Sequence, residues 1–296
     1  MNKPLLFTGS AVAIVTPFKG EAIDFDKLAE LIEFQIDNGT DAIVICGTTG
    51  EASTIPDRDH IAAIKFTVGQ VNHRVPVIAG TGSNDTSHGA ELSWAAEDAG
   101  SDAILSVTPY YNKTTQAGLY AHFKAIADSV NIPMILYNVP SRTNLNINPE
   151  TVKQLSLIKN IVALKECNFA QAGEIINLCG EDLTLYSGED SLVVPLLSLG
   201  GKGVISTTAN LIPADFHQMV ALYLAGEIEA ARKMQLQALP LIKAMFIEVN
   251  PIPIKAAMNL MGMNVGNCRM PLVEMSPDHL AVLKQEMKNY GLLTAQ

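Results

Sequence analysis

The stretch Ile161-Val162-Ala163-Leu164-Lys165-Glu166 is a short apolar run that ends in two charged side chains. Apolar residues follow one another in it without the regular alternation of a strand that has one face in water. This is typical of parallel strands that are buried on both faces. The chain contains eight runs of this kind: Ala11–Val15, Ala42–Cys46, Val75–Ala79, Ala103–Val107, Met134–Tyr137, Ile161–Lys165, Leu183–Tyr186 and Val204–Ser206. We predict that each of them is a β-strand.

Helical patterns separate these runs. Leu28, Leu31, Ile32 and Ile36 recur at helical spacing, with Gln35 as the one polar residue of the stripe. Eight strand–helix repeats predict an α/β fold, a closed (β/α)8 TIM barrel. A doubly wound open sheet is the alternative, and the count of eight favours the barrel.

The pattern changes after about Gly226. Residues 227–296 contain helical patterns without another strand-like run, and the sequence Asn250-Pro251-Ile252-Pro253 interrupts them. We therefore predict two domains, a (β/α)8 barrel catalytic domain in residues 1–226 and a small C-terminal helical domain in residues 227–296.

The composition restricts the kind of protein. Of the 296 residues, 48% are hydrophobic and 17% are charged, which allows a large buried core, and the net charge of −10 argues against a general affinity for nucleic acid. Met1–Thr8 lacks the apolar core of a signal peptide, and no apolar stretch reaches the roughly eighteen residues of a membrane span. We expect a cytoplasmic protein without a membrane or nucleic-acid partner. The four cysteines and six histidines lack ligand spacing, so no metal site is predicted.

The functional residues of such a barrel stand at the C-terminal ends of the strands and in the loops that follow. Lys165 ends its run, where burial disfavours the ammonium and lowers the pKa, and Schiff-base chemistry needs a neutral amine. The simpler interpretation is a lysine that points into solvent or pairs with Glu166. Tyr137 ends another run, where its hydroxyl can transfer protons or the ring can be an ordinary packing residue.

The loops after other runs offer groups that bind ligands. Arg142 can hold a carboxylate with two hydrogen bonds, or it is an ordinary surface arginine. Gly47-Thr48-Thr49-Gly50-Glu51 offers hydroxyls and backbone N–H groups, or it is an ordinary turn. Gly80-Thr81-Gly82-Ser83-Asn84-Asp85 begins like a dinucleotide fingerprint but has an aspartate in place of the third glycine. Tyr110-Tyr111 suggests a binding surface or a subunit contact.

Three segments together resemble one family. Gly47-Thr48-Thr49-Gly50-Glu51, Tyr137-Asn138-Val139-Pro140 and Ala163-Leu164-Lys165-Glu166 are similar, in this order and at strand ends, to motifs of the pyruvate-dependent class I aldolases. That family contains dihydrodipicolinate synthase and N-acetylneuraminate lyase. The resemblance extends from Thr16-Pro17-Phe18 to the C-terminal helices. It implies an aldolase-type lyase that needs neither a metal nor an organic cofactor.

The resemblance implies a role for each matching residue. Lys165 is similar to the lysine that forms an imine with pyruvate, and Tyr137 to the tyrosine that transfers protons. Thr48 is similar to the threonine that links this tyrosine to a second one, which Tyr111 matches and which in the family enters the active site of the neighbouring subunit. Thr48 and Thr49 would hold the pyruvate carboxylate. The resemblance implies a homotetramer built as a dimer of dimers.

Further substrate contacts are implied in the same way. Ile205 would line the floor near the imine, and Gly188 would border the substrate. Arg142 matches the arginine with which the synthases of the family bind the carboxylate of L-aspartate 4-semialdehyde, and the sugar-acid lyases generally lack it. We therefore expect a synthase that condenses pyruvate with L-aspartate 4-semialdehyde in the diaminopimelate route to lysine. The alternative is another aldolase of the family, acting on a sugar-derived 2-oxo acid.

Two other classes of protein are disfavoured. A non-catalytic barrel is expected to have lost Lys165 or Tyr137, and both are present. A phosphate-binding barrel is expected to carry a glycine-rich loop after the seventh or eighth strand with a helix start behind it, and the sequence lacks this signature.

Many synthases of the family carry a site for feedback inhibition by lysine at a subunit interface. The resemblance places it at seven residues: Ala52, Ser53, Asp57, His60, Asn84, His88 and Tyr110. Lysine-sensitive members have a histidine where Asp57 stands and a glutamate where His88 stands, and the glutamate pairs with the ammonium of the effector. Because a histidine replaces that anion, we expect weak or absent inhibition by lysine.

Overall fold

Eight parallel strands close into a barrel in the computed structural model, which describes residues 3–294. The barrel strands are β1 (Gly9–Ala13), β4 (Ala42–Ile45), β5 (Val77–Gly80), β6 (Ala103–Val107), β7 (Met134–Asn138), β8 (Ile161–Glu166), β9 (Thr184–Ser187) and β10 (Gly203–Ser206). They are neighbours in chain order, and β1 pairs with both β4 and β10. The predicted (β/α)8 fold is confirmed. An antiparallel hairpin of β2 (Phe18–Lys19) and β3 (Ala22–Ile23) was not predicted.

Helices follow the strands along the chain. They are α1 (Phe25–Asp37), α2 (Asp57–Val71), α3 (Thr86–Asp98), α4 (Gln116–Asp128), α5 (Pro140–Thr143), α6 (Pro149–Leu155), α7 (Ala172–Cys179), α8 (Val193–Ser198) and α9 (Pro213–Leu224). The Asp24 carboxylate accepts a hydrogen bond from the Lys27 N–H, which caps α1. Gln35, the polar residue in the stripe of α1, is buried and donates to the Ala209 carbonyl at 2.9 Å. This hydrogen bond satisfies the amide nitrogen of the buried side chain.

The strands begin and end up to two residues away from the apolar runs. The first begins at Gly9 instead of Ala11, because Gly9 pairs with Gly203 of β10. A Cβ on Gly203 would lie 1.9 Å from the Gly9 carbonyl oxygen. Glycine lets these two strands approach each other at a place where an apolar pattern gives no signal.

The N-terminal end of the barrel is closed by aromatic rings. Phe7, which precedes β1, stacks on Tyr186 with ring centroids 4.2 Å apart, and the Tyr186 hydroxyl donates to the Phe7 carbonyl at 2.7 Å. Small and medium apolar side chains fill the interior above them: Ala11, Ala13, Ala42, Val44, Ile78, Ala103, Leu105, Ile135, Ala163 and Ile205. The free space of the barrel is therefore at the C-terminal ends of the strands.

Residues 227–294 form the helices α10 (Ile228–Met245), α11 (Ile252–Leu260) and α12 (Pro277–Tyr290), without a strand. The interruption predicted at residues 250–253 lies slightly earlier, because α11 begins at Ile252 with Pro253 in its first turn, where a missing N–H breaks no hydrogen bond. The division into two domains at residue 226 stays a prediction. In the part of the chain that the structure describes, no helix is long and apolar enough to cross a membrane.

Candidate active site

Neighbouring strand ends bring Lys165 and Tyr137 side by side. Tyr137 in β7 is the register partner of Lys165 in β8, and Lys165 is the partner of Tyr186 in β9. Register partners point to the same side of a sheet, here the interior of the barrel. The Lys165 Nζ atom lies 4.5 Å from the centre of the Tyr137 ring. The predicted lysine and tyrosine therefore share one site.

Burial determines the chemical state of Lys165. The residue is 6% exposed. Loss of hydration lowers the pKa of its amine from the ordinary 10.5, while nearby thiol and carboxyl groups act in the opposite direction. Glu166 is engaged elsewhere, because its carboxylate accepts hydrogen bonds from Asn138 at 2.8 Å, Gln171 at 2.9 Å and the Asn168 N–H at 2.6 Å. A lysine that points into solvent or pairs with Glu166 does not fit this arrangement.

Tyr137 is held as a proton donor. Burial raises its pKa well above the ordinary value of 10.0, while Arg142 and a hydrogen bond with the Thr48 side chain act in the opposite direction. The phenol therefore keeps its proton at neutral pH. Thr48, in the loop after β4, lines the same cavity as Lys165, so three of the predicted catalytic side chains meet there.

The loop between α10 and α11 completes the site. Asn250 donates through its Nδ2 atom to the Thr49 hydroxyl at 2.9 Å, and that hydroxyl lies 3.1 Å from the Thr207 hydroxyl. Arg142 donates to the backbone carbonyl of Asn250 at 3.1 Å. Phe246 of the same loop lines the cavity. Thr207, Asn250 and Phe246 were missed in the sequence, where residues 250–253 were interpreted only as an interruption between helices.

Gly188 follows β9 and lies against Lys165. Its N–H donates to the Glu166 carbonyl at 2.8 Å. A Cβ at this position would lie 2.4 Å from the Cys167 Sγ atom and 3.2 Å from the Lys165 Cγ atom. Burial raises the pKa of the Cys167 thiol to about 12, and the nearby carboxyl groups of Glu189 and Glu166 act in the same direction. Glycine thus leaves room for both the lysine and the thiol.

The predicted site residues are divided between the cavity and its surroundings. Six of them line the cavity: Thr48, Thr49, Tyr137, Arg142, Lys165 and Gly188. Ile205 lies in the apolar interior of the barrel, 1% exposed and beside Ala11 in register. Tyr111 does not line the cavity of its own chain, because its side chain is 92% exposed.

The glycine-rich segment that begins at the last residue of β5 has a structural explanation. A Cβ on Gly80 would lie 2.2 Å from the Cys46 carbonyl oxygen, and one on Gly82 would lie 2.3 Å from the Val107 nitrogen. Asp85 caps α3 by accepting from the Ser87 N–H at 2.9 Å. The segment packs strands and starts a helix. Among residues 3–294, no group of three or more His, Cys, Asp or Glu side chains is placed to hold a metal ion.

Comparison with known proteins agrees with this geometry. The model of the dihydrodipicolinate synthetase family matches residues 6–290. The chain belongs to this family. A 4-hydroxy-tetrahydrodipicolinate synthase of Acetivibrio thermocellus is 65% identical over 293 residues, which are 99% of this chain and 100% of the relative. One of Thermoanaerobacter sp. is 58% identical, over 97% of this chain and 98% of the relative.

Solved structures of the family superimpose closely on this one. A dihydrodipicolinate synthase from Aquifex aeolicus has a TM-score of 0.95 at 45% identity, over 97% of this chain and 99% of that chain. A second crystal structure of a dihydrodipicolinate synthase has a TM-score of 0.94 at 50% identity, over 97% and 100% of the two chains. The resemblance, the barrel, the lyase-type enzyme and the synthase function expected from the sequence are confirmed. The sugar-acid alternative receives no support.

Two of the seven residues at the lysine site expected in this family, His88 and Asp57, contact each other. The His88 Nε2 atom lies 3.1 Å and 3.2 Å from the two carboxylate oxygens of Asp57, and its Nδ1 atom lies 3.1 Å from the Ser83 hydroxyl. His60 is buried, with its Nε2 atom 2.8 Å from the Gly80 carbonyl. The Asp57 carboxylate thus already has a partner within the chain.

Proposed function

We propose that this chain has the activity for which its relatives are named, 4-hydroxy-tetrahydrodipicolinate synthase, and that it condenses pyruvate with L-aspartate 4-semialdehyde through an imine on Lys165. The observation that carries the proposal is a buried lysine amine with a lowered pKa beside a protonated phenol, in a cavity that also contains an arginine. These are the groups that imine chemistry on a carboxylate substrate requires.

The reaction begins at the amine. Neutral Lys165 adds to the ketone carbon of pyruvate, and loss of water gives a protonated imine. The positive nitrogen draws electrons from the methyl group, which loses a proton and leaves an enamine. The enamine carbon attacks the aldehyde carbon of the second substrate, whose oxygen takes a proton. The amine of that substrate then attacks the imine carbon, closes the ring and releases Lys165. No metal or organic cofactor enters these steps.

Each step moves a proton, and Tyr137 with Thr48 offers the hydroxyls for it. We infer that Tyr111 of the partner subunit supplies a further hydroxyl, in a homotetramer built as a dimer of dimers. Two observations support this role. The Tyr111 side chain is almost fully exposed, and its backbone φ is +68°. A bulky residue in the left-handed region is strained, and such strain is typical of functional positions.

The substrates divide the cavity between them. The Thr48 and Thr49 hydroxyls hold the pyruvate carboxylate, with Ile205 as the floor and Gly188 leaving space beside the imine. Arg142 binds the carboxylate of L-aspartate 4-semialdehyde in bidentate fashion. Its hydrogen bond to the loop between α10 and α11 supports this placement, because the guanidinium is held at the cavity while other N–H groups stay available.

Regulation and location are also proposals. The pairing of His88 with Asp57 supports weak or absent inhibition by lysine, because no carboxylate stands at position 88 to receive the ammonium of the effector. A cytoplasmic location follows from the role expected in amino-acid biosynthesis.

The test is a coupled assay. Purified protein receives pyruvate and L-aspartate 4-semialdehyde, and the next enzyme of the pathway reports the product through NADPH oxidation. Activity that is lost in Lys165→Ala and kept in Lys65→Ala, a change of an exposed lysine in α2, supports the proposal. A folded protein without activity contradicts the proposed acceptor, and borohydride trapping with pyruvate then reports on the imine alone.

A further inference from the structure

A buried ion pair connects the C-terminal helices to the turn that carries Thr48 and Thr49. The side chains of Lys255 in α11 and Glu51 at the end of the turn are 2% and 1% exposed, and the Lys255 Nζ atom lies 2.6 Å from the Glu51 Oε1 atom. Removing two charges from water is costly unless their hydrogen bonds are well satisfied. Neither residue lines the cavity around Lys165, so the proposed chemistry does not use them directly.

Lys255 and Glu51 each make a further hydrogen bond besides their contact with one another. Lys255 donates to the Asn267 carbonyl at 3.1 Å, and its Nζ atom lies 4.3 Å from the centre of the Phe18 ring. The second carboxylate oxygen of Glu51 accepts from the Arg269 N–H at 2.7 Å. The Arg269 guanidinium lies 4.6 Å from the same Phe18 ring. Each oxygen of the Glu51 carboxylate therefore contacts a residue of the C-terminal region, Lys255 or Arg269.

Glu51 stands where the turn needs an anchor. Its backbone φ of +59° lies in the left-handed region, which costs free energy for a residue with a side chain and persists where the surroundings enforce it. Its N–H donates to the Thr48 carbonyl at 3.1 Å. The Gly50 carbonyl accepts from the Thr16 hydroxyl at 2.7 Å. A shift of Glu51 is thus transmitted to Thr48 within a single turn.

We propose that Lys255 is a positioning residue for the reaction: by holding Glu51, it fixes the turn so that the Thr48 hydroxyl faces Tyr137. The inference rests on the proposed function, since it concerns the proton transfers assigned to Tyr137 and Thr48. It gives the C-terminal helices a part in the chemistry besides packing. A misplacement of about 1 Å in a catalytic group costs about a hundredfold in rate.

The test separates position from stability. Lys255→Met alone leaves the Glu51 charge buried without its partner and destabilises the fold, so the decisive variant is the double change Lys255→Met with Glu51→Met, which removes both charges. Lys255→Arg keeps the charge. Met287→Ala, a truncation of a buried side chain in α12, is the control for lost stability alone. For each protein, the exchange of pyruvate methyl protons in D2O, kcat for the condensation and Tm are measured.

We expect the double variant to keep a Tm close to that of the wild type and to lose about 10- to 100-fold in both methyl exchange and kcat. Its KM for L-aspartate 4-semialdehyde should change little, because Arg142, the residue proposed to bind this substrate, is unchanged. Lys255→Arg should retain more exchange than Lys255→Met. The proposal is overturned by wild-type exchange in the double variant, or by an equal loss of exchange in Met287→Ala.

The same measurements distinguish this inference from the proposed function. Methyl exchange needs pyruvate alone. A wild-type protein that exchanges the protons but does not consume L-aspartate 4-semialdehyde contradicts the proposed acceptor, and the exchange rates of the variants still decide the role of Lys255. A wild-type protein without exchange overturns both.

Discussion

Gly188 is the position where one added methyl group should disturb the imine most directly. On the existing backbone, the Cβ of Gly188→Ala would lie 2.4 Å from the Cys167 Sγ atom and 3.2 Å from the Lys165 Cγ atom. Favourable contacts between carbon atoms begin at about 3.5 Å, so the thiol must move by about 1 Å and the lysine stem by less. Gly188 is not in the left-handed region, so alanine causes no backbone strain of its own there.

The expected size of the effect follows from the overpacking. Extra atoms in a well-packed site cost about 1–3 kcal/mol. Since the displaced groups include the stem of Lys165, we expect this free energy to appear in the barrier to imine formation. That corresponds to a rate roughly 5- to 150-fold slower.

The assay is borohydride trapping of pyruvate on Lys165, followed by protein mass against time. Four proteins are compared: the wild type, Gly188→Ala, Cys167→Ala and the double variant. Because Cys167→Ala removes the atom that makes the closest contact, the double variant should regain much of the lost rate. Wild-type trapping in Gly188→Ala, or no recovery in the double variant, would refute the reasoning.

Four further predictions concern the pH dependence of trapping, the pH dependence of stability, Arg142 and lysine. Since burial lowers the pKa of the Lys165 amine, the rate of borohydride trapping should rise with pH and level off below pH 10.5, the ordinary pKa of a lysine. A rise centred at or above pH 10.5 would contradict this. Between the folded and unfolded pKa values the unfolded chain binds more protons, so the contribution of Lys165 to the free energy of unfolding should increase with pH there, as denaturant titrations can measure. Arg142→Ala should raise KM for L-aspartate 4-semialdehyde by about 10- to 150-fold through loss of a charged hydrogen bond, with pyruvate trapping unchanged; equal losses in both would argue against its role. Lysine should not inhibit turnover at sub-millimolar concentration, and inhibition there would contradict the interpretation of Asp57 and His88.

The barrel and the central pair of the site were predictable because their signals are local. Strands that are buried on both faces have continuous apolar sequences. A polar residue at the C-terminal end of such a strand lies at the opening of the barrel. Their positions made Lys165 and Tyr137 candidates, and the resemblance to the aldolase family supplied the roles expected of them. The start of β1 was not found, since the close approach of Gly9 and Gly203 leaves no apolar pattern.

The contribution of the C-terminal helices was not predictable from local patterns. Asn250 reaches Thr49 from 201 positions further along the chain, and Lys255 reaches Glu51 from α11. These contacts depend on how α11 packs against the barrel, which a motif does not encode. Tyr111 is a different case, because its proposed role depends on a second subunit and one chain leaves it in solvent.

The stacked rings of Phe7 and Tyr186 have a kinetic consequence. Because these rings block the N-terminal end of the barrel, substrates and products reach and leave Lys165 through the C-terminal opening beside Arg142. In the proposed arrangement pyruvate lies deeper than the acceptor, so pyruvate should enter first, and the water released by the proposed imine should leave before the acceptor binds above it. If L-aspartate 4-semialdehyde binds before pyruvate, it obstructs the path of pyruvate to Lys165. A large excess of L-aspartate 4-semialdehyde should therefore slow the enzyme, and more pyruvate should restore its speed.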